Sequence, residues 1–211
     1  MNYKQQFSQI LETQFSNCEK SILVAIEAGK ALSDFKDGFF INNDVNTHAI
    51  EEVHFYSFTS SIIKNSFLVT AYSFFEYSFR KYCEIIVTEH SGFKRKLSDM
   101  DKVYQYHSLV TNILPLSESV ISEDWGRLVI YREIRNIIVH HNSIVPGNTT
   151  SKTKLVLAVD NYIDPENSGP IKISGNLIKE MLDVGLRFLL NLIELYDKHY
   201  PEGIFSDNYK F

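Results

Sequence analysis

The sequence predicts an all-α fold, an antiparallel helical bundle with a small β-hairpin inserted around residues 155–173. Three observations carry this expectation. Apolar side chains recur at three- and four-residue intervals over residues 3–33 and again over 176–199, the period of a helix with one buried stripe. Residues 62–87 are so dense in apolar and aromatic side chains that they point to a central helix packed on several sides. Strand-like runs are confined to Leu155-Val-Leu-Ala-Val159 and Ile171-Lys-Ile173, which flank the turn-rich Asp164-Pro-Glu-Asn-Ser-Gly-Pro170.

In chain order, the first helix is expected over residues 3–33, with Phe7, Ile10, Leu11, Phe15, Cys18, Ile22, Ala25 and Ile26 at helical spacing. Asp37-Gly38 to Asn46 reads as a loop, because Ile41-Asn-Asn-Asp-Val-Asn is rich in side chains that bond their own backbone. A long helix follows over 49–90, with a break near Phe58-Thr-Ser-Ser61, and Ser91-Gly92 ends it. Ser98 caps a helix reaching about Ile113, with Pro115 just beyond. Ser122 to Asp124 opens the next helix, its acids in the first turn as the macrodipole favours, and Trp125 anchors its start in the core. Ser174 is the expected N-cap of the last helix, 176–199. The expected division is an N-terminal helical arm and loop (1–48), a helical domain (49–200) and a tail (201–211).

Composition narrows the function classes. An apolar fraction of 44 %, with 15 Phe and 12 Tyr, is enough for a real core. A net charge of −5 offers no global basic field. That argues against a large footprint on duplex nucleic acid, and leaves room for a small cationic cleft. Cys18 and Cys83 have no CxxC partner and read as buried reduced thiols. The polar N-terminus has no signal-peptide core and no apolar run reaches a membrane span, so the expectation is a cytoplasmic protein with no membrane partner. No GxxxxGK[ST], GxGxxG, HExxH or GxSxG motif occurs. Glu51 and His54 form one Glu-x-x-His, but a di-iron bundle needs a second such pair, which is missing. The pair reads as a surface contact, and neither a metal site nor a cofactor is expected.

The chemistry gathers on Arg132-Glu-Ile-Arg135-Asn136-Ile-Ile-Val-His140-His141. At about 100° per residue, Ile130, Ile134, Ile137, Ile138 and His141 share one arc. Arg132, Glu133, Arg135, Asn136 and His140 fill the rest, interrupted by Tyr131 and Val139. The first arc belongs in a core, so His141 reads as mainly structural. The second is either a solvated face or an anion site with a proton-transfer group. Arg matches phosphate bidentately, and His suits acid/base work near pH 7. Elsewhere, Tyr72, Glu76 and Arg80 align at four-residue spacing, either as an ion-paired edge or with Glu76 orienting Arg135 across the bundle. Lys94, Arg95 and Lys96 form the densest basic cluster, either a solvated face or a hold on a phosphate backbone.

Arg135-Asn136-Ile-Ile-Val-His140 fits the R-x4-6-H pattern of the HEPN superfamily, the higher eukaryotes and prokaryotes nucleotide-binding domains. The preceding aromatic helix, with Ala71-Tyr-Ser-Phe-Phe-Glu76-Tyr-Ser-Phe, resembles that family's first core helix, and His141-Asn142-Ser143-Ile144-Val145-Pro146-Gly147 resembles its usual exit from the motif helix. The resemblance covers about residues 50–200. It implies a metal-independent endoribonuclease acting on RNA as a homodimer, with two motif helices in one cleft. It also implies a toxin–antitoxin or anti-phage defence setting with an antitoxin or other partner protein. Carried onto this chain, Arg135 holds the scissile phosphate, His140 is the acid or base, and Asn136 orients one of them. Arg132, Glu76, Arg80, Lys94, Arg95 and Lys96 are the supporting binding candidates. HEPN toxins silenced by nucleotidylation carry a Tyr two residues after the His; that position is Asn142 here, so this mode of control is not expected. The alternative is a non-catalytic HEPN-type module that binds nucleotide or RNA, or only joins two subunits. A helical scaffold with no ligand is the third reading.

Overall fold

The computed structural model describes residues 3–41, 47–89, 103–114, 119–150, 153, 171 and 173–205, and within these the side chains of all but 30–41, 47–60, 89, 119 and 120. Its described residues are all-helical: α1 (Tyr3–Ile41), α2 (Thr47–Glu89), α3 (Val103–Ile113), α4 (Ser119–His140) and α5 (Gly175–His199). No strand occurs among them. Ile171 and Ile173 are irregular, and 154–170, most of the expected hairpin, lie outside the described residues. So do Ser91-Gly92, Ser98 and Pro115.

Several boundaries differ from the sequence expectation for identifiable reasons. α1 continues past residue 33 and through Asp37-Gly38 to Ile41. One interior glycine costs a helix only about 1 kcal/mol. α2 passes through Phe58-Thr-Ser-Ser61 without a break. Further along it, Ser66 Oγ donates to the Ile62 carbonyl (2.8 Å) and Thr70 Oγ1 to that of Ser66 (2.9 Å), so these two hydroxyls bond back into their own helix. α4 begins at Ser119, a turn before Ser122, which removes Glu123 and Asp124 from the first turn. Asp124 is 2 % exposed and receives Arg187, with Nε 3.0 Å from Oδ2 and Nη2 on Oδ1. Its role is that of a buried carboxylate in an ion pair with a half-exposed arginine rather than a dipole partner. α5 starts as expected: Ser174 Oγ accepts the Leu177 amide at 3.1 Å.

The chain divides into two compact units. The first comprises Met1–Ser16, Tyr72–Val129 and Met181–Phe211. Its core is aromatic. Phe75 stacks on Phe79 (5.9 Å between ring centres), and Phe79 meets Phe188 edge-on (5.4 Å). Trp125 lies 5.7 Å from Phe188 and stacks on His107 at 3.8 Å, the rings nearly parallel. Trp125 is thereby half-buried at a core edge. Gly185 allows the close approach of α5 to α2: a Cβ there would lie 3.1 Å from the Phe75 ring. Phe205, in the segment expected to be a tail, is fully buried among Tyr3, Phe7, Tyr82 and Tyr196 (5.6–5.9 Å). Lys4 Nζ ties the start of α1 to Glu194 (2.7 Å) and Asp197 (2.8 Å) of α5. Cys83 is a fully buried free thiol, its pKa pushed well up by that burial.

The second unit comprises Asn17–Ala71 and Ile130–Glu180. Among the described residues, Ile22 of α1, Leu68 and Ala71 of α2, Tyr131, Ile134 and Ile137 of α4, and Leu177 and Ile178 of α5 are its buried apolar side chains, joined by Ile171 and Ile173. Cys18, also free, is half-buried, with its pKa raised by the loss of hydration. Lys179 Nζ meets Glu19 at 2.8 Å on the surface. No helix among the described residues is long and apolar enough to cross a membrane.

Candidate functional site

The end of α4 carries the motif. Its buried positions in the second unit are Tyr131, Ile134 and Ile137, three residues apart. Three residues advance about 300°, so each step falls about 60° short of a turn and the buried seam winds around the helix. That winding corrects the fixed-arc expectation at three positions. Tyr131, expected on the polar side, is buried. Ile130 and Ile138, expected in the core, are only half-buried.

His141 is a further correction. α4 ends at His140, and His141 is exposed in the exit rather than packed on the apolar arc. The helical angle stops applying there, because Asn142 (φ 50°) and Ser143 (φ 65°) both take the left-handed conformation. The Ser143 amide reaches back to the Ile137 carbonyl (3.1 Å), as does the His141 amide (3.1 Å). These bonds satisfy a carbonyl that a helix end otherwise leaves open.

Arg135 and Asn136 are brought together: Nη1 of Arg135 donates to Oδ1 of Asn136 at 3.0 Å. Both are half-buried. Nε of Arg135 is buried and has no partner, an unmet donor on a cation. His140, four residues after Asn136 and on the same side of the helix, is exposed and has no hydrogen-bond partner among the described residues. Near it in sequence, Val139 and Ile144 are apolar side chains 43 % and 52 % exposed.

Glu133 was a bystander in the sequence and is a clasp in the fold. Its carboxylate accepts the Thr150 amide (2.8 Å), the Thr150 hydroxyl (2.7 Å) and the hydroxyl of fully buried Thr153 (2.6 Å). Partial burial raises its pKa, but the bonds from Thr153 and Thr150 and the charge of Arg132 outweigh this and hold it below the ordinary value. Arg132 thus supports Glu133. A second clasp joins α2 to the motif exit. Asn65 Nδ2 donates to Ser143 Oγ (2.9 Å) and to the Ile171 carbonyl (3.2 Å), while the Ile171 amide donates to the Ser143 carbonyl (2.8 Å). Sequence reasoning missed both clasps. The available signals were a run of threonines after the motif and one amide inside an apolar helix.

The remaining candidates fall elsewhere. Glu76 is half-buried in the first unit. Arg80 pairs with Glu84 (3.1 Å), which also takes Lys81 (2.7 Å), so an ion-paired edge describes it. The hydrogen bond from Lys81 leads the causes that lower the Glu84 pKa. Lys94, Arg95 and Lys96 lie outside the described residues, as do the side chains of Glu51 and His54. No group of three or more His, Cys, Asp or Glu placed to hold a metal occurs among the described residues.

Compared with family models, with curated proteins and with solved structures, the chain matches none of them.

Proposed function

We propose that the chain is a HEPN-type, metal-independent endoribonuclease that works as a homodimer. The observation that carries this reading is the Arg135–Asn136 pair, with an unmet guanidinium N–H, one turn from the exposed imidazole of His140. RNA brings its own nucleophile. His140 takes the proton of the 2′-hydroxyl or delivers one to the leaving 5′-oxygen. The 2′-oxygen attacks phosphorus, the bond to the 5′-oxygen breaks, and a 2′,3′-cyclic phosphate remains. Arg135 stabilises the charge on the phosphoryl oxygens, held in place by Asn136.

A second subunit has a physical motive. Arg135 and His140 are five residues apart, which is about 140° around a helix, so within one chain they diverge. A two-fold axis beside α4 sets the Arg of one copy near the His of the other and covers Val139 and Ile144. A toxin or anti-phage role with a partner protein belongs to the same proposal.

One observation favours the rival, a binding module without catalysis. A general base is ordinarily oriented by a hydrogen bond, and His140 has none among the described residues. Cleavage assays separate the two. Arg135→Ala and His140→Ala each reduce the rate by on the order of 10²–10⁴ while the circular dichroism stays unchanged. Activity survives EDTA, and RNA with a 2′-deoxy substitution at the cut resists. Chelator-sensitive cleavage, or full activity in His140→Ala, refutes the mechanism. No cleavage by wild type that light scattering shows to be dimeric leaves the binding module.

A further inference from the structure

Asn65 is 5 % exposed on α2. Burying an amide is unfavourable unless its polar atoms are paired. Its Nδ2 is fully used, with two acceptors, yet its Oδ1 is buried with no partner. An apolar side chain of the same volume avoids that unmet acceptor, so core packing alone does not account for this residue.

What the amide holds is the way out of the motif helix. Ser143, three residues after His140, has every polar group engaged. Its amide donates to Ile137, its carbonyl accepts from Ile171, and its hydroxyl accepts from Asn65. It adopts φ 65° without the freedom of glycine, next to Asn142 at φ 50°. The last turn of a helix is ordinarily where the backbone frays. Here it is pinned on both sides of His140: upstream by the buried Ile134 and Ile137, downstream by the Asn65–Ser143–Ile171 knot.

We propose that Asn65 is a positioning residue for His140, fixing the helix exit through Ser143 so that the exposed imidazole keeps one place relative to Arg135 and Asn136. The proposal rests on the reading of His140 as the proton-transfer group. Misplacing a reacting group by about 1 Å costs on the order of 10²-fold in rate.

The test has two arms. In the first, histidine-labelled protein is followed by NMR, reading the ring signals and titration of His140 and the exchange of the Ser143 amide. Asn65→Ala shifts the His140 signals and speeds the Ser143 exchange. Adding Ser143→Gly, which takes φ 65° without strain, returns both toward wild type. In the second arm, RNA cleavage by Asn65→Ala loses kcat by on the order of 10²-fold with KM unchanged, and the double variant recovers part of it. Should Asn65→Ala fail to fold, Asn65→Leu keeps the volume and carries the same expectations. Unchanged His140 signals and Ser143 exchange in a folded Asn65 variant overturn the proposal. Absence of cleavage by wild type removes the ribonuclease reading instead, and the NMR arm alone then decides whether Asn65 positions His140.

Discussion

The Glu133 clasp gives the sharpest energetic prediction. Three donors converge on one carboxylate at 2.6–2.8 Å, two of them hydroxyls. Glu133→Gln keeps the shape and one carbonyl oxygen. That oxygen still accepts the Thr150 amide, and the hydroxyls turn to accept from the new amide group. Three charge-assisted bonds become neutral ones, each worth roughly half as much. With neutral bonds near 1 kcal/mol and a discount for the exposed Thr150, the loss is about 1–2 kcal/mol. Glu133→Ala removes all three bonds and leaves the buried Thr153 hydroxyl only its contact with the Thr150 hydroxyl (3.0 Å), for a loss of about 3 kcal/mol. The sign of the pH dependence follows from the lowered pKa. The clasp contributes fully above the ordinary value of 4.5 and is lost as pH falls through the lower folded-state value. Urea denaturation at neutral pH and near pH 3 measures both. Wild type exceeds Glu133→Gln at neutral pH, and the gap closes in acid. A gap that persists in acid, or none at neutral pH, refutes the assignment of the charge to this clasp.

His107 gives a second pH signature. Burial pushes its pKa down to about 4, so it stays neutral against Trp125 where an ordinary histidine, at 6.5, already carries charge. A depressed histidine pKa contributes stability that is intact above 6.5 and eroded as pH falls toward 4. Fluorescence of the single tryptophan should step near pH 4 rather than 6.5, and His107→Phe should abolish the step. Phe205→Ala should cost about 3–5 kcal/mol, as measured by the denaturation midpoint, because the ring is fully buried between four aromatic side chains.

How much was legible in the sequence depended on how local the deciding interaction was. The last helix was read nearly residue for residue, because Ser174 caps it with a bond spanning three positions. The end of α3 at Ile113 was equally readable. Phe205 was not: its partners lie at residues 3, 7, 82 and 196, and nothing in residues 201–211 announces them. In the candidate site, the Arg135–Asn136 contact joins neighbours in sequence, and the polar character of that side of α4 was plain. The winding of the buried seam was not, because it follows from which neighbours α4 meets; hence the misplacement of Ile130, Tyr131 and Ile138. His141 was misplaced because two consecutive non-glycine residues in the left-handed region are a rare way to end a helix. Glu133 and Asn65 act over 17 to 106 positions, beyond any pattern of spacing.

The unequal burial of the two thiols turns the protein into its own clock. A thiol reagent added to the native chain reaches Cys18 at the half-buried surface of α1. Cys83, fully buried and held in its unreactive protonated form, waits for the helix around it to open. The first equivalent of reagent consumed therefore reports access, and the second reports the frequency with which the aromatic core comes apart. The ratio of that second rate to the rate of the same thiol in denaturant is an opening equilibrium constant for the native protein.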